Sequence, residues 1–451
     1  MLRLHKATIL RFCVVAMVTA YKPRFFAVTL LKGGKMCEIL FDDEKLIRIF
    51  YDEVCLSYSA PVYMVKKNNW LTCSNYSKSV NGRAKNLCEK LNSGTFFFKP
   101  FYGFEVLANN KSRIVNIPSI DDALVLKYIS SFLDTKIDEL YLSYDYNFGF
   151  RKGKCHRDAV TIAHKHICSG YNHVIKTDIV DFAKSIDHSV LLDVVKKHFG
   201  ESSLLSKYIK RFLSVGYIDD KDKYHKNSQG LPQGICITQR LLTLFLLELD
   251  SYMDCFITDD FQYIRYADDI LLLSKSESGA LSNFERMKCY LRDFLKLEVY
   301  DFQSEKFQYT ELRDQGEKID FLGYSLSETH ICLTKKKINK LKRKILDIVY
   351  DDSYGRSIDD KISAINIMLI GRNDNRYVFV FNKNDYLKDL LFVNDVGSFD
   401  KIDKWVRNIL THYYFNRYKI KIKSGQLSEL CSLLHLYRYR QGYWKKKDLF
   451  G

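Results

Sequence analysis

The chain has 451 residues, 47% of them hydrophobic and 27% charged, which gives it a sizeable core and excludes a disordered or fibrous polypeptide. The 70 Lys and Arg against 54 Asp and Glu leave a formal charge of +16, an excess that fits a polyanionic partner, most simply nucleic acid. None of the 12 Cys forms a CxxC pair or a Cys/His set at zinc spacing, so they read as reduced thiols of a cytoplasmic protein.

The basic start, Met1 to Lys6, followed by apolar Phe12 to Ala20, loosely resembles a signal peptide. The run is too short to span a membrane and charge resumes at Lys22 and Arg24, so a first strand or a later start at Met17 or Met36 fits better. No other stretch could be transmembrane. Residues 36–95 read as mostly helical, with candidates at Phe41 to Val54 and Tyr76 to Leu91.

Strands are expected at Thr95 to Phe98, at Tyr102 to Leu107 and at Arg113 to Pro118. Lys111 and Arg113 form the basic tip of the last pair, either a phosphate clamp or a solvated hairpin end. Asp121 or Asp122 is expected to cap a helix running to about Asp134. Phe148-Gly-Phe-Arg-Lys-Gly-Lys154 is a glycine-punctuated basic loop before a helix at 156–168. Arg151 and Lys154 could hold a nucleic-acid backbone there, or the loop could simply be solvated.

His173 to Asp178 is a strand that delivers Asp178 at its exit, a common place for a metal ligand and equally for a helix cap. A helix follows to Phe199, stopped by Gly200. Gly230-Leu-Pro-Gln-Gly234 is a loop of special backbone geometry, followed by a helix from about Gln239 to Met253 that is apolar on nearly every face. Phe261 to Ser274 is a hairpin of two apolar runs with the bend expected at Asp268-Asp269. Adjacent carboxylates at the tip of a buried hairpin repel and lose solvation, and a divalent cation would offset that cost. A helix over about 282–297 leads to Lys306 and to short strands around Phe321-Leu-Gly-Tyr324 and Ile331 to Thr334. From Lys335 an amphipathic helix turns Ile338, Leu341, Ile345 and Val349 inward and Lys and Arg outward, a face either solvated or suited to tracking a duplex. Helices are expected at about 359–370, 400–420 and 427–440, and Tyr437 to Lys447 alternates aromatic and basic residues.

The order of these pieces resembles the reverse transcriptases, of the bacterial, group II intron-like lineage. Arg113 to Pro118 looks like the fingers strand, and Phe148-Gly-Phe-Arg is similar to that lineage's Gly-Phe-Arg stretch. Asp178 through His188, Leu231-Pro-Gln-Gly234 and Tyr266-Ala-Asp-Asp269 look like the three palm motifs in order. Lys306 stands where the family carries a lysine able to protonate pyrophosphate, and Phe321 to Tyr324 looks like the primer grip.

The resemblance implies an α+β, right-hand polymerase. Its fingers would span 95–170, its palm, an antiparallel sheet backed by helices, 171–334, and its helical thumb with a basic end 335–451, behind a mostly helical extension at 1–94. It implies an RNA-directed DNA polymerase that adds nucleotides to a 3′-hydroxyl with two magnesium ions, or manganese, on Asp178, Asp268 and Asp269. Lys111 and Arg113 would bind the triphosphate, Gln233 and Gly234 shape the nucleotide pocket, and Lys306 act as general acid. Arg151, Lys154, Gly323 and Tyr324 would meet nucleic acid. The partners expected are an RNA template, a DNA or protein primer and nucleoside triphosphates, with an oligomer or accessory protein allowed and no membrane. One departure concerns Ala183, where relatives usually carry an aromatic residue against the ribose 2′-hydroxyl; Phe182 precedes it. By elimination of tail domains and subfamily motifs, the chain looks like the stand-alone enzymes of antiviral defence. The alternatives are an intron-type or diversity-generating enzyme, or a non-catalytic RNA-binding scaffold.

Overall fold

The structure, a computed structural model, describes residues 38–55, 73–108, 111–313, 316–370, 392–428 and 430. The apolar N-terminal run and the aromatic-basic tail lie outside them. The described residues divide into two compact units, one within Met1–Cys155 and Thr177–Phe307, the other within His156–Lys176 and Gln308–Gly451.

In the first unit, the Asp42 carboxylate accepts the Lys45 N–H and starts the helix Asp43–Ile49. The helix Ile120–Leu140 is capped by Ser119, not by Asp121 or Asp122 as expected. The Ser119 hydroxyl accepts the Asp122 N–H, and both aspartates sit in the first turn, where the helix dipole favours them. No strand forms at 95–98. Instead the Thr95 and Phe96 amides both donate to the Lys90 carbonyl, wrapping the chain back over a helix end while Phe96 and Phe98 are buried.

Strand β1 (Phe101–Ala108) pairs antiparallel with β2 (Lys111–Ile117), with Val106 opposite Arg113. Strand β3 (His173–Asp178) begins in the second unit and ends in the first. The short strands β4 (Tyr217–Ile218) and β5 (Tyr224–His225) extend the β1–β2 sheet in the order β2-β1-β4-β5. The helix Cys236–Asp254 is buried along most of its length, as its apolar faces predict. Strands β6 (Phe261–Tyr266) and β7 (Asp269–Ser274) form the expected antiparallel hairpin, with Tyr266 opposite Asp269. The helix Glu277–Phe294 packs on β7.

In the second unit, the first four residues of β3 pair antiparallel with β8 (Gln308–Glu311). Strands β9 (Ile319–Phe321), β10 (Tyr324–Leu326) and β11 (Ile331–Leu333) form a separate three-stranded sheet. The basic helix Lys335–Tyr350 buries Leu341, Ile345, Ile348 and Val349 and exposes Lys335, Lys336, Lys340, Arg343 and Lys344. Its last carbonyls are closed by the fully buried Lys361, whose amine donates to Ile348 at 3.0 Å and Asp351 at 2.6 Å. The result is an α+β protein of small, largely antiparallel sheets and packed helices.

Candidate active site

The end of β3 is tied to its surroundings by backbone groups. The Thr177 hydroxyl donates to the Tyr300 carbonyl at 2.7 Å, and the Tyr300 amide donates to the Asp178 carbonyl at 3.1 Å. The Ile179 amide donates to the Asp268 carbonyl at 3.3 Å, which joins the strand exit to the hairpin tip. The tip falls one residue earlier than expected. Tyr266 and Asp269 form the closing pair, so the turn is Ala267-Asp268. It closes because Ala267 takes φ 56°, the left-handed region that an Ala enters only when its surroundings hold it there.

This turn places Asp268 beside Asp178, close enough for their charges to interact. Burial first, then the Asp178 and Asp269 charges, pushes the Asp268 carboxyl up to about 6. Lys306 places its Nζ 3.1 Å from Asp178 Oδ2 and 4.2 Å above the Tyr300 ring. Burial works against its charge, but contacts with Tyr300 and Asp178 leave its pKa above the ordinary value. Among the described residues, no group of three or more His, Cys, Asp or Glu side chains is gathered as a metal-binding cluster. The Asp178–Asp268 pair nevertheless has the hard oxygen donors that magnesium takes, and magnesium fills most of its shell with water and phosphate oxygens.

The Gly230–Gly234 loop lies against two other elements. The Leu231 amide donates to the Ala183 carbonyl at 2.7 Å, and the Asn116 amide donates to the Gln233 carbonyl at 2.8 Å. Gly234 has φ 89°, and a Cβ there would stand 2.8 Å from the Val115 side chain. Arg113 is exposed and, two residues from Val115 on β2, shares the strand face that meets this loop. Lys111 is the first residue of β2. Phe182 is buried, 6% exposed, so its ring is part of the core, while Ala183 is half-buried beside the loop.

Other expected contact residues are placed differently. Arg151 is turned inward: it pairs with Asp138, donates to the Tyr144 carbonyl and lies over the Tyr141 ring. Lys154 pairs with Asp145 at 2.6 Å. Tyr324 is fully buried, its ring beneath the Lys337 amine, so only the Leu322-Gly323 turn of that segment reaches the surface.

Sequence reading passed over a buried network behind the turn. Arg265, 1% exposed, forms a salt bridge with the fully buried Asp250, with Arg265 Nε donating to Oδ1 at 2.8 Å. Tyr263 donates to Asp250 Oδ1 at 2.9 Å and Tyr141 to Oδ2 at 2.6 Å. The available signals were one Asp deep in an apolar helix and one Arg in register with Phe261 and Tyr263 on a buried strand face.

Residues 104–326, just under half of the chain, match the family described as reverse transcriptase (RNA-dependent DNA polymerase). This stretch is a reverse transcriptase domain. The putative COX1/OXI3 intron 1 protein of Saccharomyces cerevisiae is 23% identical over 294 residues, covering 54% of this chain and 34% of that protein. The group II intron-encoded protein LtrA of Lactococcus lactis subsp. cremoris is 27% identical over 174 residues, covering 38% of this chain and 28% of that protein. Both relatives are intron proteins, in keeping with a domain of the group II intron-like lineage. The chain thus spans about a third or less of their length. Among solved structures, telomerase from Candida albicans with a fragment of telomeric RNA aligns at a TM-score of 0.43 and 12% identity, covering 76% of this chain and 64% of that one.

Proposed function

We propose that the protein is an RNA-directed DNA polymerase that extends a 3′-hydroxyl with deoxynucleoside triphosphates on an RNA template. The observation that carries this reading is the backbone bond that joins the Asp178 strand exit to the Asp268 turn, with Lys306 on Asp178, inside a reverse transcriptase domain. Asp178 and Asp268 would hold divalent ions, magnesium or manganese, with Asp269 beside them. When bound, such ions lower the pKa of the attacking hydroxyl and neutralise charge on the phosphates. Lys306, already beside Asp178, is the proton donor for the leaving pyrophosphate. Arg113, on the β2 face that meets Gly234, holds the triphosphate with Lys111, while Gln233 and Gly234 line the base and sugar. Fingers, palm and helical thumb follow the expected boundaries in this reading, and the exposed basic face of Lys335–Tyr350 follows the duplex backbone.

Primer extension on an RNA template tests the reading. Asp178→Ala or Asp268→Ala should abolish synthesis in a folded protein, and extension by either variant would sink the assignment. Antiviral defence and a group II intron-type setting are both proposed as biological contexts, and the intron-encoded relatives favour the second. Sequencing the nucleic acid that co-purifies with the protein separates them, since an intron RNA is expected only in the second. No described helix is long and apolar enough to cross a membrane.

A further inference from the structure

The left-handed turn that aims Asp268 is gripped from two sides. On one side, Arg265 Nη1 donates to the Ala267 carbonyl at 2.9 Å. The same guanidinium is anchored by Asp250, and its Nη2 donates to the Tyr141 hydroxyl at 3.0 Å. Asp250 is itself held by Tyr141 and Tyr263, and Tyr141 also reaches the Thr243 carbonyl at 3.2 Å. A buried arginine of this kind has little freedom: every contact fixes the plane of its fork. On the other side, the segment before the basic loop runs beside β6. The Arg265 amide donates to the Tyr146 carbonyl and the Phe148 amide donates to the Arg265 carbonyl, both at 2.9 Å. Gly149 then lies flat on the turn, and any Cβ there would collide with the Ala267 backbone nitrogen. The Asn147 side chain holds the Gly149 amide at 3.0 Å.

We propose that Arg265, anchored by Asp250, and Gly149 are positioning residues that hold Ala267 left-handed and so keep Asp268 in register with Asp178. An Ala in this conformation is unfavourable by about 1 kcal/mol relative to its ordinary regions, so the turn needs such a clamp. The proposal rests on the reading of Asp268 as a metal ligand, and its substance is that the buried pair acts through the turn. If it only filled the core, its loss would lower stability alone.

The test compares wild type with Arg265→Lys, which keeps the charge but shortens the fork that reaches Ala267, and with Gly149→Ala, which leaves the ion pair intact. Each is titrated with Mn2+ and the free ion followed by electron paramagnetic resonance, with Asp268→Asn as the reference for a lost site. Single-nucleotide extension and thermal melting are measured on the same preparations. For both variants we expect apparent Mn2+ affinity to fall roughly 10-fold and kcat roughly 100-fold, the size of a sub-ångström to ångström displacement of a reacting group. The nucleotide KM should stay within about threefold, since Arg113 and the Gly230–Gly234 loop are untouched. Wild-type Mn2+ affinity and kcat in the folded fraction of Gly149→Ala would overturn the proposal, and so would losses that track melting temperature alone. If Arg265→Lys does not fold, Gly149→Ala decides by the same criteria. A wild-type protein that binds Mn2+ through Asp268 yet extends no primer would defeat the polymerase reading while the Mn2+ comparison still judges the clamp.

Discussion

Two aspartates close to the same hairpin, one behind it and one at its tip, meet opposite fates. Asp250 is completely enclosed, and its oxygens receive Arg265, Tyr263 and Tyr141. Asp268 is half-buried and faces Asp178 and Asp269, two more carboxylates. Arg265 itself is held charged, its pKa raised by Asp250 against the cost of burial. One site neutralises its charge with the protein's own cation; the other gathers three carboxylates around a single lysine, Lys306 on Asp178, and leaves the remaining charge to be neutralised from outside. A satisfied buried carboxylate marks architecture, and one crowded by like charges marks a place where a ligand completes the structure.

The largest break in this comparison is loss of the crowded pair. Asp178→Ala and Asp268→Ala should each reduce primer extension by at least about 10³-fold, because each removes a ligand of the ions that activate the hydroxyl and neutralise the phosphates. Circular dichroism and melting should show an intact fold. The satisfied site should respond in stability as well as in activity. Asp250→Ala strips Arg265 of its counter-ion inside the core and should destabilise the protein by roughly 3–5 kcal/mol in urea unfolding.

The next prediction inverts the usual sign of a mutation. The Asp268 carboxyl sits at about 6 in the folded chain against 3.8 for the free group. Below the lower value both states are protonated and the site has no effect on stability. As pH rises through that window the unfolded chain ionises first, so a penalty grows, and above about 6 it is complete. In chelator, Asp268→Asn should therefore remove that stretch of pH dependence and be more stable than wild type at pH 7, by roughly 3 kcal/mol at most. Urea unfolding at pH 5 and pH 7 reads this directly, and equal pH dependence in the two proteins would refute the crowding of Asp268.

What the sequence disclosed follows the same division. Asp178 was legible because the run His173 to Thr177 carries β-branched Val174, Ile175 and Thr177, suits a strand, and stops at a carboxylate. The hairpin was legible from its two apolar runs, and the core helix from having no polar face. The register of the turn was not, because no Gly or Asn marks a left-handed residue, and the Ala267 backbone packs against Gly149, more than a hundred residues away in the chain. Thr95 to Phe98 had strand composition, but local capping of the Lys90 carbonyl at the helix end prevailed. Arg151 looked like a phosphate ligand because charge alone does not reveal that Asp138 and Tyr141 lie beside it. Nor does periodicity show that residues 156–176 group with 308–451, since that is a matter of long-range contact.

The smallest expected effect concerns the sugar. Phe182 is fixed in the core, and its neighbour Ala183 offers only a methyl group beside Leu231, so no aromatic side chain from this turn can stand over a ribose. Discrimination by steric exclusion scales with the contact a hydroxyl would lose or clash with, and a methyl-sized wall provides little of it. Wild type should therefore accept ribonucleotides more readily than Ala183→Phe or Ala183→Tyr. The ratio of kcat/KM for deoxy over ribo substrates should rise in those variants by about 10-fold, near 1.4 kcal/mol. Single-nucleotide extension with matched deoxy and ribo pairs measures it. An unchanged ratio would mean that the sugar is read elsewhere, with Gln233 on the neighbouring loop the next residue to test.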